Sequence, residues 1–306
     1  MQLTGMQHAE SHRVVAARIV ISHTACVGVF FLPYTPQLGW ALLVGYLWRV
    51  FAFEGAAHRY FSHRAFKTSR AGQLVLALLV VCSGQRGPLW WAMHHRAHHR
   101  YSDTGRDPHS PVAHSFWEAH MGWLMRADTV DTNLDAVKDL ARWPELVWLN
   151  RWHMVFPLAL LVLTGALGEY TTLFGRTGLG GAAMVWAFFL PTVLALHAAF
   201  CVNTLTHGRR PGWLNPKPFQ TRDTTTNSWL LALPTLGASW HNNHHRYMLA
   251  ARAGFRWWEL DLTYTTLWLL AKARLVWDLH PVPASVLQQP DSTPAMEDEA
   301  EEARAA

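Results

Sequence analysis

The sequence predicts an all-α integral membrane protein in which four transmembrane helices form two hairpins and carry a helical cap on the cytoplasmic side. Three observations predict this class: the composition, the length of the apolar segments and the placement of positive charge. Of the 306 residues 50% are hydrophobic and 15% are charged, with 17 Trp and 19 His. A soluble domain carries about 25% charged residues. The composition therefore excludes a disordered chain, a coiled coil and a highly charged nucleic-acid arm.

Four apolar segments are long enough to cross about 30 Å of hydrocarbon as helices. They are residues 14–32, 37–57, 153–173 and 181–203. A short turn containing Pro joins the first two and a Gly-rich stretch joins the last two, so each pair is predicted to form a hairpin. A fifth apolar run, residues 74–82, is too short to cross and is expected to lie in the interface or to dip in and return.

Positive charge is placed asymmetrically. If the first helix starts inside, Arg176 is the only Lys or Arg at a hairpin tip, and the other 25 of the 26 fall on the inner side or near the inner helix ends. This asymmetry predicts that both termini and the cap, residues 58–151 and 204–280, are cytoplasmic. It also explains the net charge of +5 and the pI of about 9.3 without a nucleic-acid partner. Membrane lipids are the expected surroundings, and residues 281–306 are predicted to be a disordered acidic tail that follows a membrane domain of residues 1–280.

Nine histidines form four regular boxes in the polar parts of the chain. The boxes are HRYFSH with His58 and His63, HRAHH with His95, His98 and His99, NTLTH with Asn203 and His207, and HNNHH with His241, His244 and His245. Positions i, i+3 and i+4 share a helix face, so each H-x2-H-H is expected to direct its three imidazoles the same way. His58 and His63 are five apart and do not share a face, which predicts a distortion or a helix end there.

The boxes predict a site for two metal ions. Any one of these histidines alone is more typical of a hydrogen-bonded structural residue. Packed together without a metal, however, nine imidazoles would repel one another on protonation and leave polar groups without partners. Nine ligands exceed what one ion accepts, so two ions are expected. All-imidazole coordination suits Fe, Zn or Cu better than Mg or Ca.

These boxes and the text between them, such as YSDT at 101–104 and DPH at 107–109, resemble the membrane fatty acyl desaturases of the stearoyl-CoA (delta-9) type, particularly bacterial members. The resemblance covers about residues 37–260. It implies a mushroom-shaped four-helix domain under a cytosolic cap, in a bacterial inner membrane. It also implies a di-iron centre held by the nine box histidines, with Asn203 reaching one iron through water.

The resemblance further places an acyl tunnel beside the irons. Gln85 and Trp91 match family residues that line the tunnel where the chain bends. Ala199 and Phe200 stand where the family has a Thr-Trp pair, and Met93 and His94 stand where it has the Arg-Asp pair that serves the CoA headgroup. Tunnel shape and headgroup identity therefore depart from the family pattern.

The predicted function is an oxygen-dependent desaturase that introduces a cis double bond into a saturated fatty acyl thioester. Acyl-CoA with delta-9-like specificity is the expected substrate, and carrier protein or lipid are alternative carriers. Unactivated methylenes lack useful acidity, so the reaction needs a metal-bound oxidant made from O2, with two Fe ions as cofactor. Zinc could replace iron in expressed protein. Beyond the metal ligands, no catalytic side chain is predicted.

The chain lacks a His-Pro-Gly-Gly haem motif, a ferredoxin cysteine set and a dinucleotide fingerprint. A separate donor is therefore expected, either a ferredoxin, a rubredoxin or a cytochrome b5-like protein. The landing area could include Arg209, Arg210, Arg246, Arg252 and Arg256, although these also fit ordinary cytoplasmic-side charge. Glu54, Asp103 and Asp107 are candidate hydrogen-bond partners of ligand imidazoles.

Alternative functions stay open at this point. A di-iron hydroxylase or related oxidase on the same scaffold needs only a small change in chain placement. A non-enzymatic membrane metal or haem protein would need no acyl substrate. A zinc-dependent membrane hydrolase is disfavoured because the boxes contain no H-E-x-x-H and no obvious general-base carboxylate.

Overall fold

The computed structural model describes residues 4–288, and their regular secondary structure is almost entirely helical. In chain order the helices are α1 (His12–Cys26), α2 (Pro36–Phe51), α3 (Arg70–Cys82), α4 (Pro88–Tyr101), α5 (Phe116–His120), α6 (Lys138–Ala141), α7 (Pro144–Arg151), α8 (Val155–Tyr170), α9 (Gly180–Ala183), α10 (Leu190–Thr206), α11 (Trp229–Ala232), α12 (His241–Arg246), α13 (Leu262–Lys272) and α14 (Ala284–Gln288). A π-helix, Ala52–Ser62, directly follows α2, and a second, Met184–Phe189, joins α9 to α10. Short 3-10 helices occupy Val27–Phe30, Gly122–Met125 and Leu134–Val137.

Two small antiparallel sheets connect distant parts of the chain. Strand β1 (Met6–Gln7) pairs with β3 (Thr132–Asn133), and β2 (Lys67–Thr68) pairs with β4 (Val276–Trp277). Each pair has only two residues per strand. They attach the segment before α1 and the segment after α13 to the cap.

Two helices of the described chain are long and apolar enough to cross a bilayer, His12–Phe30 and Gly180–Thr206. A third span results if α7 and α8, bent by 63° at the break between them, count as one. These three overlap the predicted spans 14–32, 181–203 and 153–173. The predicted span 37–57 lies on α2 and its π-helix, where Arg49 and Glu54 lower the hydropathy. Length and hydropathy of the described helices thus support two to three spans, and the fourth predicted span stays a prediction.

The helix that carries HRAHH is anchored to α7 by one amide. Asn150 Oδ1 accepts hydrogen bonds from the backbone N–H groups of Leu89 and Trp90, at 3.1 and 2.9 Å. These N–H groups belong to the first turn of α4, which has no partners for them within the helix. A Cβ at Gly87 would lie 2.5 Å from Asn150 Cα. The close approach at Gly87 therefore fixes where α4 begins.

The largest hydrophobic core lies beneath the first two boxes and excludes solvent from them. Its most deeply buried large side chains are Phe61, Phe66, Leu89, Leu146 and Leu267, each at most 1% exposed. They come from the first π-helix and the segment after it, α4, α7 and α13. The histidine boxes are therefore held on a rigid, close-packed base.

The C-terminal stretch is partly packed on the cap. Residues 284–288, within the predicted acidic tail, form α14, and Val286 is buried with Phe219 and Phe255. Residues 289–306 of that tail lie outside the described residues.

Candidate metal centre

The structure brings all nine box histidines into two adjacent groups. Within each group the nearest ring nitrogens lie within 4.8 Å of one another. The five-histidine group contains His58, His63, His95, His99 and His244. The four-histidine group contains His98, His207, His241 and His245.

Helices α4 and α12 each contribute to both groups. From α4, His95 and His99 join the five-histidine group while His98 joins the four-histidine group. In α12 the assignment is reversed, because His241 and His245 join the four-histidine group and His244 the other. The expectation that each H-x2-H-H directs all three imidazoles the same way is therefore wrong. Consecutive residues differ by about 100° around a helix, so the residue at i+3 lies to one side of the pair at i and i+4.

The HRYFSH box lies at the end of the first π-helix. The backbone N–H of His63 donates to the carbonyl of His58 at 3.2 Å, a bond between residues five apart. This geometry places residues i and i+5 next to each other, and the two rings are 4.9 Å apart. The distortion expected from the five-residue spacing is confirmed. Such π-helical segments occur frequently at functional sites.

Four carboxylates orient four of the imidazoles. They accept a hydrogen bond from Nδ1 of the ring in the pairs Glu54–His58 at 3.0 Å, Asp107–His98 at 2.8 Å, Asp103–His207 at 3.0 Å and Asp223–His245 at 2.5 Å. A proton held on Nδ1 leaves the lone pair on Nε2. Each carboxylate therefore turns a ligating atom inward and fixes the tautomer, as carboxylates behind metal-bound histidines do.

The inward-facing nitrogens fit metal ions. Distances between Nε2 atoms are 2.8 Å for His63–His95, 2.9 Å for His58–His244 and 3.0 Å for His207–His241. The Nε2 atoms of His98 and His245 are buried and have no hydrogen-bond partner in the described chain. A neutral imidazole has a single N–H, so these converging nitrogens cannot all be satisfied by hydrogen bonds to one another. Metal cations that imidazole binds well, namely Fe, Zn or Cu, satisfy them best.

The pKa values of the histidines also favour metal binding. Burial holds the pKa of His63, His95, His99, His241 and His244 well below the ordinary value of 6.5, and nearby imidazoles lower it further. These rings are neutral at neutral pH, which is the state that binds a metal.

The rings next to carboxylates titrate differently. Burial alone would lower the pKa of His98, but the Asp107 carboxylate raises it above its ordinary value. Burial lowers the pKa of His245 to about 4, although Asp223 opposes the shift. Burial alone would raise the pKa of the Asp223 carboxyl, but His245 holds it well below its usual range. Asp223 is therefore ionised and can stabilise positive charge at the centre.

Sequence reasoning identified three of the four carboxylates and missed Asp223. Glu54 is four residues before a box histidine, and Asp103 and Asp107 follow HRAHH closely, so their sequence positions gave a signal. Asp223 lies in an irregular loop, 16 residues after His207 and 18 residues before His241, the box histidines on either side of it. His109 stacks on His98 with ring centres 4.6 Å apart and forms a third potential ligand group with His98 and Asp107.

The predicted tunnel residues line two cavities beside the histidines. Trp91 and Ala199 line a small one of about 60 Å³, together with Asn203, His58, His95 and His241. Gln85 and Phe200 line a larger one of about 350 Å³. Trp91 Nε1 donates to Gln85 Oε1 at 2.9 Å and so connects the two sets. The larger cavity extends between α1, α8 and α10 and is walled chiefly by apolar side chains, including Leu161, Phe188 and Leu196.

Comparison with known proteins agrees with this site. The model of the fatty acid desaturase family matches residues 5–278. An sn-1 stearoyl-lipid 9-desaturase of Anabaena variabilis is 33% identical over 247 residues, 80% of either chain. An acyl-CoA C20 Delta5-desaturase of Anemone leveillei is 32% identical over 243 residues, covering 78% of this chain and 71% of the relative. A hex-5-enoyl-[acyl-carrier protein] acetylenase of Moorena producens (strain JHB) is 33% identical over 244 residues, 76% and 73% of the two chains.

The chain therefore belongs to the fatty acid desaturase family. It is an oxidoreductase that acts on fatty acyl substrates, with histidine clusters compatible with metal binding and apolar helices compatible with membrane association. The names of the three relatives differ in the acyl carrier and in the bond position.

Proposed function

We propose that this protein is an oxygen-dependent acyl-chain desaturase that introduces a cis double bond into a saturated chain with two irons held by the nine box histidines. The observation that carries the proposal is the division of these imidazoles into groups of five and four, with four of the nine rings oriented by buried carboxylates. Two irons, when bound, supply an O2-derived oxidant strong enough to remove hydrogen from methylenes.

The protein's own residues have three tasks in this proposal. The histidines hold the ions, and Glu54, Asp103, Asp107 and Asp223 keep the Nδ1 protons in place. Asn203 is proposed to reach the four-histidine group through water from the smaller cavity. The cavities fix which carbons lie beside the ions, because regiochemistry depends on how far the chain enters.

The acyl carrier is the less constrained part of the proposal. Acyl-CoA with delta-9-like specificity is the first candidate. Carrier protein and lipid are the alternatives, since one relative is named for an acyl-carrier-protein substrate and another for a lipid substrate. His94 Nε2 bonds the carbonyl of Thr129 at 2.9 Å, and Met93 Sδ accepts from the N–H of Asn133. These two side chains are engaged within the cap, so a CoA headgroup would need other partners.

The membrane topology is also proposed. We place four spans in a bacterial inner membrane, with the cap and both termini cytoplasmic. Support comes from the one-sided distribution of Lys and Arg. It also comes from the packing of α2 along α10, because the helix that contains α10 is long enough to cross a bilayer.

The test is expression in a host that lacks its own desaturase, followed by mass spectrometry of its fatty acids. Wild type should yield acyl chains two mass units lighter, and His98→Ala should yield none. The matched control is His8→Ala, because His8 is 75% exposed and pairs with Asp131 outside the centre. A gain of sixteen mass units would indicate the hydroxylase alternative. An unchanged profile with several donors, in protein shown to contain two irons per chain, would overturn the proposal.

A further inference from the structure

A third cavity, of about 430 Å³, lies where the chain leaves the HRYFSH box. It shares no lining residue with the two cavities beside the histidines. The sheet of β2 and β4 forms one edge, where Lys67 is paired with Trp277. The start of α3 and the segment between α6 and α7 form other parts of its wall. Its volume lies within the range of about 300–1,000 Å³ that is typical of ligand sites.

Positive charge dominates the lining of this cavity. The cations that line it are Arg64, Lys67, Arg70 and Arg142. The carboxylates that pair with them are Asp139 with Arg64, Asp278 with Lys67 at 2.9 Å and Glu145 with Arg70 at 2.8 Å. Asp139 is also shared with Arg96, and Arg142 has no carboxylate partner in the described part of the chain. Four cations therefore face three carboxylates, which leaves the cavity with a net positive charge.

Two of these arginines meet at one aromatic ring. The guanidinium carbons of Arg70 and Arg142 each lie 5.1 Å from the centre of the Trp143 ring. Contact with the ring holds a guanidinium in place without using its N–H donors. A guanidinium presents these donors as a planar fork that matches two oxygens of a phosphate. The arrangement therefore suits a phosphate group better than a single neutral acceptor.

A buried amide in the wall of the cavity has an unused donor. Gln73 is only 7% exposed, and its Oε1 accepts a hydrogen bond from the Tyr60 hydroxyl at 3.0 Å. Its Nε2 is buried and has no partner among residues 4–288. A buried donor without an acceptor is costly. Because the neighbouring arginines are donors too, a ligand that brings several acceptor oxygens would satisfy all of these groups.

The surroundings of the cavity indicate the source of such a ligand. Val75, two residues after Gln73 on α3, is exposed, and so are Leu275 and Trp277 beside β4. Exposed apolar side chains and Trp next to basic residues are typical of a surface at the level of the lipid headgroups. Basic pockets at this depth on the cytoplasmic side bind anionic headgroups. A bilayer lipid can therefore supply the phosphate.

We propose that this cavity binds the phosphate of an anionic phospholipid, with Arg70, Arg142 and Gln73 donating to its oxygens. Binding requires neither iron nor turnover, so it is independent of the proposed reaction. A ligand that binds only the folded chain stabilises it. The lipid would thus stabilise the segment that connects the HRYFSH box to α3.

The test uses the full-length protein in dodecyl maltoside with dioctanoyl phosphatidylglycerol as the probe. Native mass spectrometry should show one bound lipid per chain, and thermal denaturation should show a rise in Tm. Arg142→Glu removes no ion pair of the protein and should weaken binding about tenfold, because a charge-assisted contact becomes a repulsion. Arg209→Glu makes the same change in charge at an exposed residue that does not line the cavity. It should bind the lipid as wild type does.

A second pair of variants tests the amide. Gln73→Leu removes the unused Nε2 donor and should weaken binding severalfold. Tyr60→Phe removes the hydrogen bond to Oε1 but keeps that donor, so it should retain the affinity of the wild type. Thermal denaturation without lipid shows whether each variant is folded. Equal affinity in folded Gln73→Leu and wild type would remove Gln73 from the site.

Four further outcomes would overturn the proposal. Equal binding of phosphatidylglycerol by wild type and Arg142→Glu would exclude this cavity. Equally tight binding of phosphatidylcholine would show that the site does not select an anionic lipid. An equal rise in Tm with inorganic phosphate would identify free phosphate as the ligand. Displacement of the lipid by free CoA would assign the cavity to the headgroup of an acyl-CoA.

Discussion

The carboxylate of Asp223 lies 2.5 Å from Nδ1 of His245, so a residue of an irregular loop orients a histidine on α12. The same carboxylate accepts hydrogen bonds from Thr221 and Thr225, which hold it in place. Asp223→Asn keeps the shape but removes the charge that supports the imidazole. Removal of such a partner costs about 10–100-fold in metal affinity. We expect lower iron content and faster loss of iron to a chelator. If Asp223→Asn retained iron as well as the wild type does, Asp223 would have no part in metal binding.

The two-group arrangement predicts stepwise loss of metal. His63 belongs to one group and His207 to the other, and neither lies on α4 or α12. His63→Ala and His207→Ala should each lower the content from two irons per chain to about one, and the double variant should contain almost none. Elemental analysis of purified protein gives the count. A single variant that leaves both irons bound would contradict its assignment as a ligand.

The larger cavity predicts a change in chain-length preference. Leu161 lines it from α8, whereas Leu163 on the same helix is 53% exposed on the outer side. Leu161→Trp should fill space that a long chain needs and shift products towards shorter chains. One methylene in an apolar pocket is worth about 10–200-fold in discrimination. Leu163→Trp is the control and should leave the product profile unchanged. Equal profiles for wild type and Leu161→Trp would exclude this cavity from acyl binding.

Stability should fall as the pH drops below the ordinary pKa of histidine. Burial, with the neighbouring His197, lowers the pKa of His120 to about 4. Between pH 6.5 and 4 the unfolded chain binds this proton and the folded chain does not, so stability is complete above pH 6.5 and is lost on acidification. The contribution of His120 is at most about 2 kcal/mol between pH 7 and 5, because solvent screening at a partly exposed group reduces it. In thermal denaturation in detergent, His120→Gln should show a smaller fall in Tm over this interval than wild type. Equal falls in Tm for wild type and His120→Gln would contradict this role of His120 in the pH dependence of stability.

Local patterns in the sequence predicted much of the structure. Two spans agree with the helices within a few residues, because hydropathy is a property of consecutive residues. The five-residue spacing of His58 and His63 predicted the distortion that the π-helix provides. The boxes predicted which imidazoles converge.

Features that depend on three-dimensional packing were beyond the sequence. Which imidazole joins which group depends on how α4 and α12 lie relative to each other, and the spacing of the boxes does not encode that. Asp223 reaches His245 because of a loop conformation without periodicity. The 63° bend between α7 and α8 arises at a break of three residues within an otherwise apolar region.

The shared use of α4 and α12 has a mechanical consequence. Because His95 and His98 project from one helical turn towards different groups, the spacing of two bound ions would follow from the 1.5 Å rise and 3.6-residue turn of the backbone. A displacement of α4 would carry parts of both coordination spheres together.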